Sequence, residues 1–125
     1  MMEYFFQHKE YITKFLHEYI IEEYSPLALS RKGIINIQER LLDFVCRGKM
    51  IRGGLIALGY DLYTAPGTGQ PGMEEEVTKA GAVLELLQSG LLVHDDIMDR
   101  DRTRRGNDTF FFQYVKEMEK LSTKD

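Results

Sequence analysis

Three carboxylates close a long apolar run: Gln88-Ser89-Gly90-Leu91-Leu92-Val93-His94 leads straight into Asp95-Asp96-Ile97-Met98-Asp99. At about 100° per helical residue, Asp99 falls about 40° from Asp95 and Asp96 about 100° from it, so the three share one end-face. Gln88, seven residues before Asp95, lies within about 20° of it, two turns down the same stripe. Carboxylates this close repel one another, by about 4 kcal/mol for a pair near 4 Å at an effective dielectric of about 20. Full solvation, proton uptake or a bound cation relieves that repulsion. Hard carboxylate oxygens suit magnesium, which keeps several waters and takes one or two carboxylates plus substrate phosphates. The competing reading is a solvated acidic helix end. The neighbourhood favours the metal: the acids end an almost uncharged run, and Arg100, Arg102, Arg104 and Arg105 follow at once. Acids that hold a dication beside bases that hold an anion suggest a metal-diphosphate complex.

A second basic pair stands upstream, in Gly48-Lys49-Met50-Ile51-Arg52. Lys49 and Arg52 are three apart and face one way if the segment is helical, and Gly48 lets a ligand approach the backbone closely. Two readings stay open: a turn with two solvated cations, or a diphosphate clamp made of a lysine point charge and an arginine fork. Gln88 is either a core glutamine with satisfied hydrogen bonds or a ligand. His94 reads as a packed or hydrogen-bonded helix histidine rather than a general base, and His8 and His17 as solvated residues that carry little weight as metal ligands. Cys46, the single cysteine, reads as a small buried apolar side chain.

The chain positions these groups with helices. At 125 residues it is at most one domain, spanning 1–125. Helical spacing of Phe5, Ile12, Phe15, Leu16, Tyr19 and Ile20 predicts a first amphipathic helix over Glu3 to Tyr24, ended by Ser25-Pro26. A second runs from Leu27 to Arg47 on Ile34, Ile37, Leu41, Leu42, Phe44 and Val45, with Gly48 as its stop. A third covers Ile51 to Tyr63, and Ala65 to Gly72 is the clearest loop. That loop lacks the Gly-Lys-Ser or Gly-Lys-Thr ending of a P-loop. The central helix starts near Met73, with Glu74, Glu75 and Glu76 suited to its N-terminal dipole. Apolar residues on most of its faces from Ala80 to Val93 predict burial on all sides. After Asp99 a charged loop ends in Gly106-Asn107-Asp108, and Asp108 caps a last helix, Thr109 to Lys120. No segment alternates as a strand does, so the class is all-α.

Composition narrows the function classes. The net charge of −4 argues against a general nucleic-acid binder. One cysteine excludes an intramolecular disulfide and fits a reducing compartment. Met1 to Glu10 has acids and no apolar signal-peptide core, and the run Leu86 to Val93 is too short to span a bilayer. A cytoplasmic protein with no membrane span is the expectation.

Together the motifs resemble those of the trans-isoprenyl diphosphate synthases, the polyprenyl synthetases. Asp95-Asp96-Ile97-Met98-Asp99 followed by Arg104-Arg105-Gly106 is similar to their first aspartate-rich motif. Gly48-Lys49-x-x-Arg52 resembles their isopentenyl diphosphate site, and Gln88 stands where the family has a His or Gln for the same substrate. The resemblance implies a helical bundle of the isoprenoid synthase type, here its N-terminal helices. It implies that Asp95, Asp96 and Asp99 hold Mg2+ bridging an allylic diphosphate, that Arg104 binds that diphosphate, and that Gly48, Lys49, Arg52, Gln88 and Arg105 bind isopentenyl diphosphate. The implied reaction is head-to-tail prenyl transfer, catalysed by Asp95, Asp96, Asp99 and Arg104, in an enzyme that is commonly a homodimer. Gly90 and Leu91, four to five residues before the first aspartate, lean towards products longer than farnesyl, such as geranylgeranyl diphosphate.

Two departures stand out. Gly53 occupies a position where the family often has proline. The family's second aspartate-rich motif has no counterpart, so the chain is expected to be the N-terminal part of a longer enzyme and inactive alone. Other readings of the same residues are another DDxxD enzyme, such as a terpene cyclase or squalene-type synthase, a non-catalytic regulatory subunit, and a plain helical interaction domain. Isopentenyl diphosphate binding separates the first from the second, since a cyclase needs no Lys49, Arg52 and Gln88 set.

Overall fold

The computed structural model describes residues 1–28 and 32–123, and for 23–28 and 32–36 the backbone alone. Among the described residues the chain forms helices α1 (Met2–Ala28), α2 (Lys32–Cys46), α3 (Ile51–Tyr63), α4 (Met73–Asp99) and α5 (Phe110–Ser122). Strands β1 (Thr103–Arg104) and β2 (Asn107–Asp108) form a short antiparallel ribbon between α4 and α5. The all-α class holds, and the predicted bounds of α3 are those observed. The ribbon is too short to show an alternating pattern. The chain divides into two compact units, Met1–Leu87 and Gln88–Asp125, and the division falls inside α4.

In the first unit α1 is the hub and packs on α2 and α3. Ile12, Leu16 and Ile20, spaced by four residues, are all buried, and they form one core with Leu42 and Val45 of α2, Met50, and Ala82 of α4. Phe15, Leu41, Cys46 and Leu86 pack around this core from partly buried positions. Tyr19 and Ile37 are instead exposed, and the side chain of Ile34 lies outside the described residues. The backbones of α3 and α4 meet at two glycines. A Cβ on Gly81 would stand 3.2 Å from the Gly53 Cα and carbonyl oxygen, so both positions need glycine for this approach.

Several expectations need correction. Helix α1 continues through Ser25-Pro26 to Ala28, so Leu27 belongs to the first helix rather than starting the second, which begins at Lys32. Proline deletes one backbone hydrogen bond and disfavours helical geometry in the residue before it, but forbids neither. His8 is half-buried, not solvated: its ring centre lies 4.4 Å from that of Tyr4 and 5.8 Å from that of Tyr11. His17 is exposed, as expected. Helix α4 is not buried on all sides. In the first unit Ala82 and Glu85 are buried while Val83 and Leu87 are exposed; in the second Ser89 and Asp96 are buried while Leu91 is exposed. An apolar side chain gains by burial, but its sequence does not supply the partner.

Cys46 sits half-buried against the core, and burial pushes its thiol above the ordinary range. A raised folded-state value favours the neutral thiol, so this stabilisation is complete below the unfolded value and is lost as pH rises through the folded one. Thiol-reactive dye at pH 8 should therefore label the folded chain markedly more slowly than the urea-unfolded chain. Equal rates would contradict the packing of Cys46.

Candidate diphosphate-binding site

The second unit carries the acidic tip. Helix α4 ends in a Schellman turn: the Asp101 N–H donates to the Asp96 carbonyl at 2.9 Å and the Arg100 N–H to that of Ile97 at 3.3 Å. Glycine is the usual residue at the left-handed position of that turn; here Arg100 takes it, with φ 56°. The chain then reverses in a two-residue hairpin, Arg105-Gly106, whose φ values of 51° and 77° are those of a type I′ turn. Thr109, fully buried, closes the segment. Its N–H donates to the Arg102 carbonyl at 2.9 Å and its hydroxyl to that of Asp101 at 2.7 Å. Thr109, and not Asp108, is therefore the residue at the start of α5, and it makes no side-chain cap. The Asp108 carboxylate instead accepts from Lys116 Nζ at 2.6 Å. The Arg102 guanidinium and Lys116 Nζ lie over the Phe112 ring, at 5.6 and 5.1 Å.

This turn delivers Arg104 to the acids. The Arg104 Nε donates to both Asp96 oxygens at 3.1 and 3.0 Å, and Nη2 donates to Oδ1 at 2.6 Å. The Asp96 side chain is 2% exposed and that of Arg104 31%. The hydrogen bonds to Asp96 raise the Arg104 pKa further, against a smaller opposing effect of burial, and the charges of Asp96, Asp101 and Asp95 add to the rise. The guanidinium thus stays charged at any working pH. Asp95 and Asp99 are exposed. Being four residues apart on one helix, they are neighbours on one face.

The expected site residues are thus brought together in part. Asp96 and Arg104 pair directly; Asp95 and Asp99 present their carboxylates outward; Arg105 is exposed on the hairpin turn; Gln88 is half-buried. Among the described residues no three His, Cys, Asp or Glu side chains converge into a preformed metal cage. Magnesium does not require one. Two exposed carboxylates on adjacent helical turns, with the diphosphate as the remaining ligand, fit its usual coordination.

The first unit carries the second basic pair. Lys49 lies outside α3, so the helical-face argument does not apply to it, but Lys49 and Arg52 are both exposed on one turn. Between them Met50 takes φ 52° and ψ 37° and is buried in the core, where its sulfur accepts the Thr13 hydroxyl at 3.7 Å. Gly48, half-buried, precedes them. At Gly53 the N–H donates to Glu85 Oε1 at 2.8 Å. Among the described residues the non-glycine positions with positive φ are Met50, Arg100 and Arg105, all within these motifs. Such strained positions concentrate at functional sites. Sequence reasoning missed the anchoring roles of Glu85, Met50 and Thr109. A buried polar residue in an apolar stripe was the available signal.

The structure thus defines an all-α chain with two cation-rich turns, one of them tied to an acidic helix end. A family model for polyprenyl synthetases matches residues 36–118, and the chain belongs to that family. It is 38% identical over 71 residues to a geranylgeranyl diphosphate synthase of Sulfolobus acidocaldarius, covering 57% of this chain and 19% of that protein. It is 32% identical over 107 residues to the farnesyl pyrophosphate synthase of Bos taurus, covering 86% of this chain and 29% of that one. A geranylgeranyl diphosphate synthase of Saccharolobus solfataricus is 36% identical over 75 residues, covering 60% and 20%. The chain spans less than a third of the length of these relatives. No solved structure matches it at a significant level. Among the described residues no helix is long and apolar enough to cross a membrane.

Proposed function

We propose that this chain carries the first diphosphate-binding elements of a magnesium-dependent prenyltransferase, which condenses an allylic diphosphate with isopentenyl diphosphate into a longer isoprenoid diphosphate. The observation that carries the reading is the forked Asp96–Arg104 pair, which fixes a guanidinium within electrostatic reach of the exposed Asp95, one helical turn before the exposed Asp99. In this reading Asp95 and Asp99 hold magnesium, while Asp96 serves by orienting Arg104. Bound magnesium would neutralise charge developing on the departing diphosphate. Arg104 adds a preorganised cation to the same oxygens. Asp96 occupies Nε and one Nη2 donor, and the guanidinium has five N–H donors in all. In the first unit Lys49 and Arg52, with the Gly48 backbone, bind isopentenyl diphosphate; in the second, Gln88 and Arg105 are assigned to the same substrate on the family resemblance alone. The names of the relatives support prenyl transfer as the reaction class. Gly90, where an added Cβ would meet nothing within 4 Å, supports a product longer than farnesyl, such as geranylgeranyl diphosphate. Exposed Val83, Leu87 and Leu91 on α4 support association, as a homodimer.

The test is calorimetric and thermal. Inorganic diphosphate should raise the unfolding midpoint of the 125-residue chain more with Mg2+ than with EDTA, where only the cationic side chains hold it. Binding to the native state alone is worth about 2.7 kcal/mol at a hundredfold excess over Kd. Asp95→Ala and Asp99→Ala should each abolish the magnesium-dependent part. A shift as large in EDTA as with Mg2+, or a magnesium-dependent part that survives in both variants, sinks the metal assignment.

A further inference from the structure

We propose that Glu85 is a positioning residue for the Lys49–Arg52 turn: its buried carboxylate, accepting the Gly53 N–H at 2.8 Å, holds the first turn of α3 and with it both cations. The inference rests on the reading of Lys49 and Arg52 as a diphosphate clamp.

The first N–H groups of a helix have no partner within it and project from its start with partial positive charge. At α3 the ladder begins with the Gly54 N–H on the Met50 carbonyl, at 3.1 Å. The Gly53 N–H is one of the orphans, and Glu85, 32 residues away in sequence, satisfies it. Glu85 is 7% exposed. A carboxylate is not buried without compensation, and the start of a helix is where compensation for an anion is available.

Contact is possible because side chains are missing where the backbones meet. A Cβ on Gly53 would come within 2.5 Å of Ile12 Cδ1, 3.3 Å of the Gly81 carbonyl oxygen and 3.4 Å of Glu85 Cγ. A proline at 53 would have no N–H to donate, so this tether depends on the glycine found here. On the other side Met50, in its left-handed conformation, plugs the core. Each clamp residue is therefore adjacent to an anchor: Lys49 to Met50, and Arg52 to Gly53. The clamp side chains are themselves exposed and long, so their geometry depends on how firmly the backbone beneath them is held. The Glu85 carboxylate also occupies an N–H that an incoming anion would otherwise use, which leaves recognition to the two cations.

The experiment is titration calorimetry of isopentenyl diphosphate, with Mg2+, into the 125-residue chain and its variants. Alongside it, hydrogen exchange is followed at the Gly53 amide. Glu85→Ala should weaken binding roughly five- to tenfold, within the net worth of one intramolecular hydrogen bond, and speed Gly53 exchange. Glu85→Gln, whose amide oxygen can accept the same N–H, should stay within about twofold of the parent. Gln38→Ala, which removes the α2–α1 bond from the Gln38 amide to the Ile20 carbonyl, lowers stability away from the turn and should leave affinity unaltered. If Glu85→Ala does not fold, Glu85→Leu, which keeps the volume and removes the acceptor, takes its place and should show the same loss. Unchanged affinity in Glu85→Ala or Glu85→Leu, or an equal loss in Gln38→Ala, overturns the inference while leaving the clamp standing. Absent binding by the parent, or a Lys49→Ala variant that binds as well as the parent, removes the clamp reading and the inference with it.

Discussion

Arg104→Ala is expected to cost the second unit about 3 kcal/mol of stability and to abolish its magnesium-dependent binding of diphosphate. The stability loss comes from the partner left behind. Asp96 has a side chain 2% exposed, and its carboxylate accepts three hydrogen bonds from Arg104, at 2.6 to 3.1 Å. Removing one member of a buried pair strands a charge away from water, at a typical cost of about 3–5 kcal/mol. The lower end applies because Arg104 is 31% exposed, so water can enter when the guanidinium is gone. Arg104→Lys should recover only part, since an ammonium supplies a point charge and cannot present the Nε and Nη2 donors together. Asp96→Asn combined with Arg104→Ala should be less damaging than the sum of the two, which a double-mutant cycle measures directly. Because the two units need not unfold together, the loss is best read from hydrogen exchange at the Asp101 and Thr109 amides. These hold the segment on either side of the hairpin. A loss below about 1 kcal/mol, the range of solvent-exposed pairs, would show that this geometry is not maintained in solution.

Leu16→Ala is expected to destabilise the first unit by about 2–5 kcal/mol in urea-induced unfolding. Leu16 is fully buried between Ile12 and Ile20 in the cluster that joins α1 to α2, Met50 and α4. Truncation removes its apolar area and leaves a cavity that a helix held on several sides cannot close. Domain stabilities of about 5–15 kcal/mol make such a loss a large fraction of the whole. Met50 belongs to the same cluster, so loosening should also reach the turn that carries Lys49 and Arg52. A loss under about 1 kcal/mol would mean that α1 is not the hub of the unit.

Much of this was legible beforehand. The period of the apolar residues predicted α3 as observed and the start of α4 at Met73. The spacing of Lys49, Arg52, Gln88, Asp95, Asp96, Asp99, Arg104 and Arg105 pointed to the family that the residue 36–118 match identifies. The failures are specific. Ser25-Pro26 reads as a helix stop, yet the helix runs through it, because a steric preference is not a prohibition. The apolar run of α4 predicts burial on every side, yet Val83, Leu87 and Leu91 are exposed. For Asp96, which reads as a ligand beside Asp95 and Asp99, the structure adds a partner that spacing does not indicate: its carboxylate is turned to the Arg104 guanidinium.

By itself, the order of residues determined helix positions, the all-α class and the set of groups able to handle a diphosphate. These depend on chemistry repeated every three or four residues, which a linear reading captures. Only the tertiary structure decided which groups are anchors and which are presented. It turned Asp96 towards Arg104, eight residues on, and Glu85 towards Gly53, 32 residues back. It also placed Met50, Arg100 and Arg105 in left-handed conformations. The physical reason is that a polar side chain satisfies its hydrogen bonds with whatever neighbour packing brings to it, and that neighbour is set by the close approach of whole elements rather than by local periodicity.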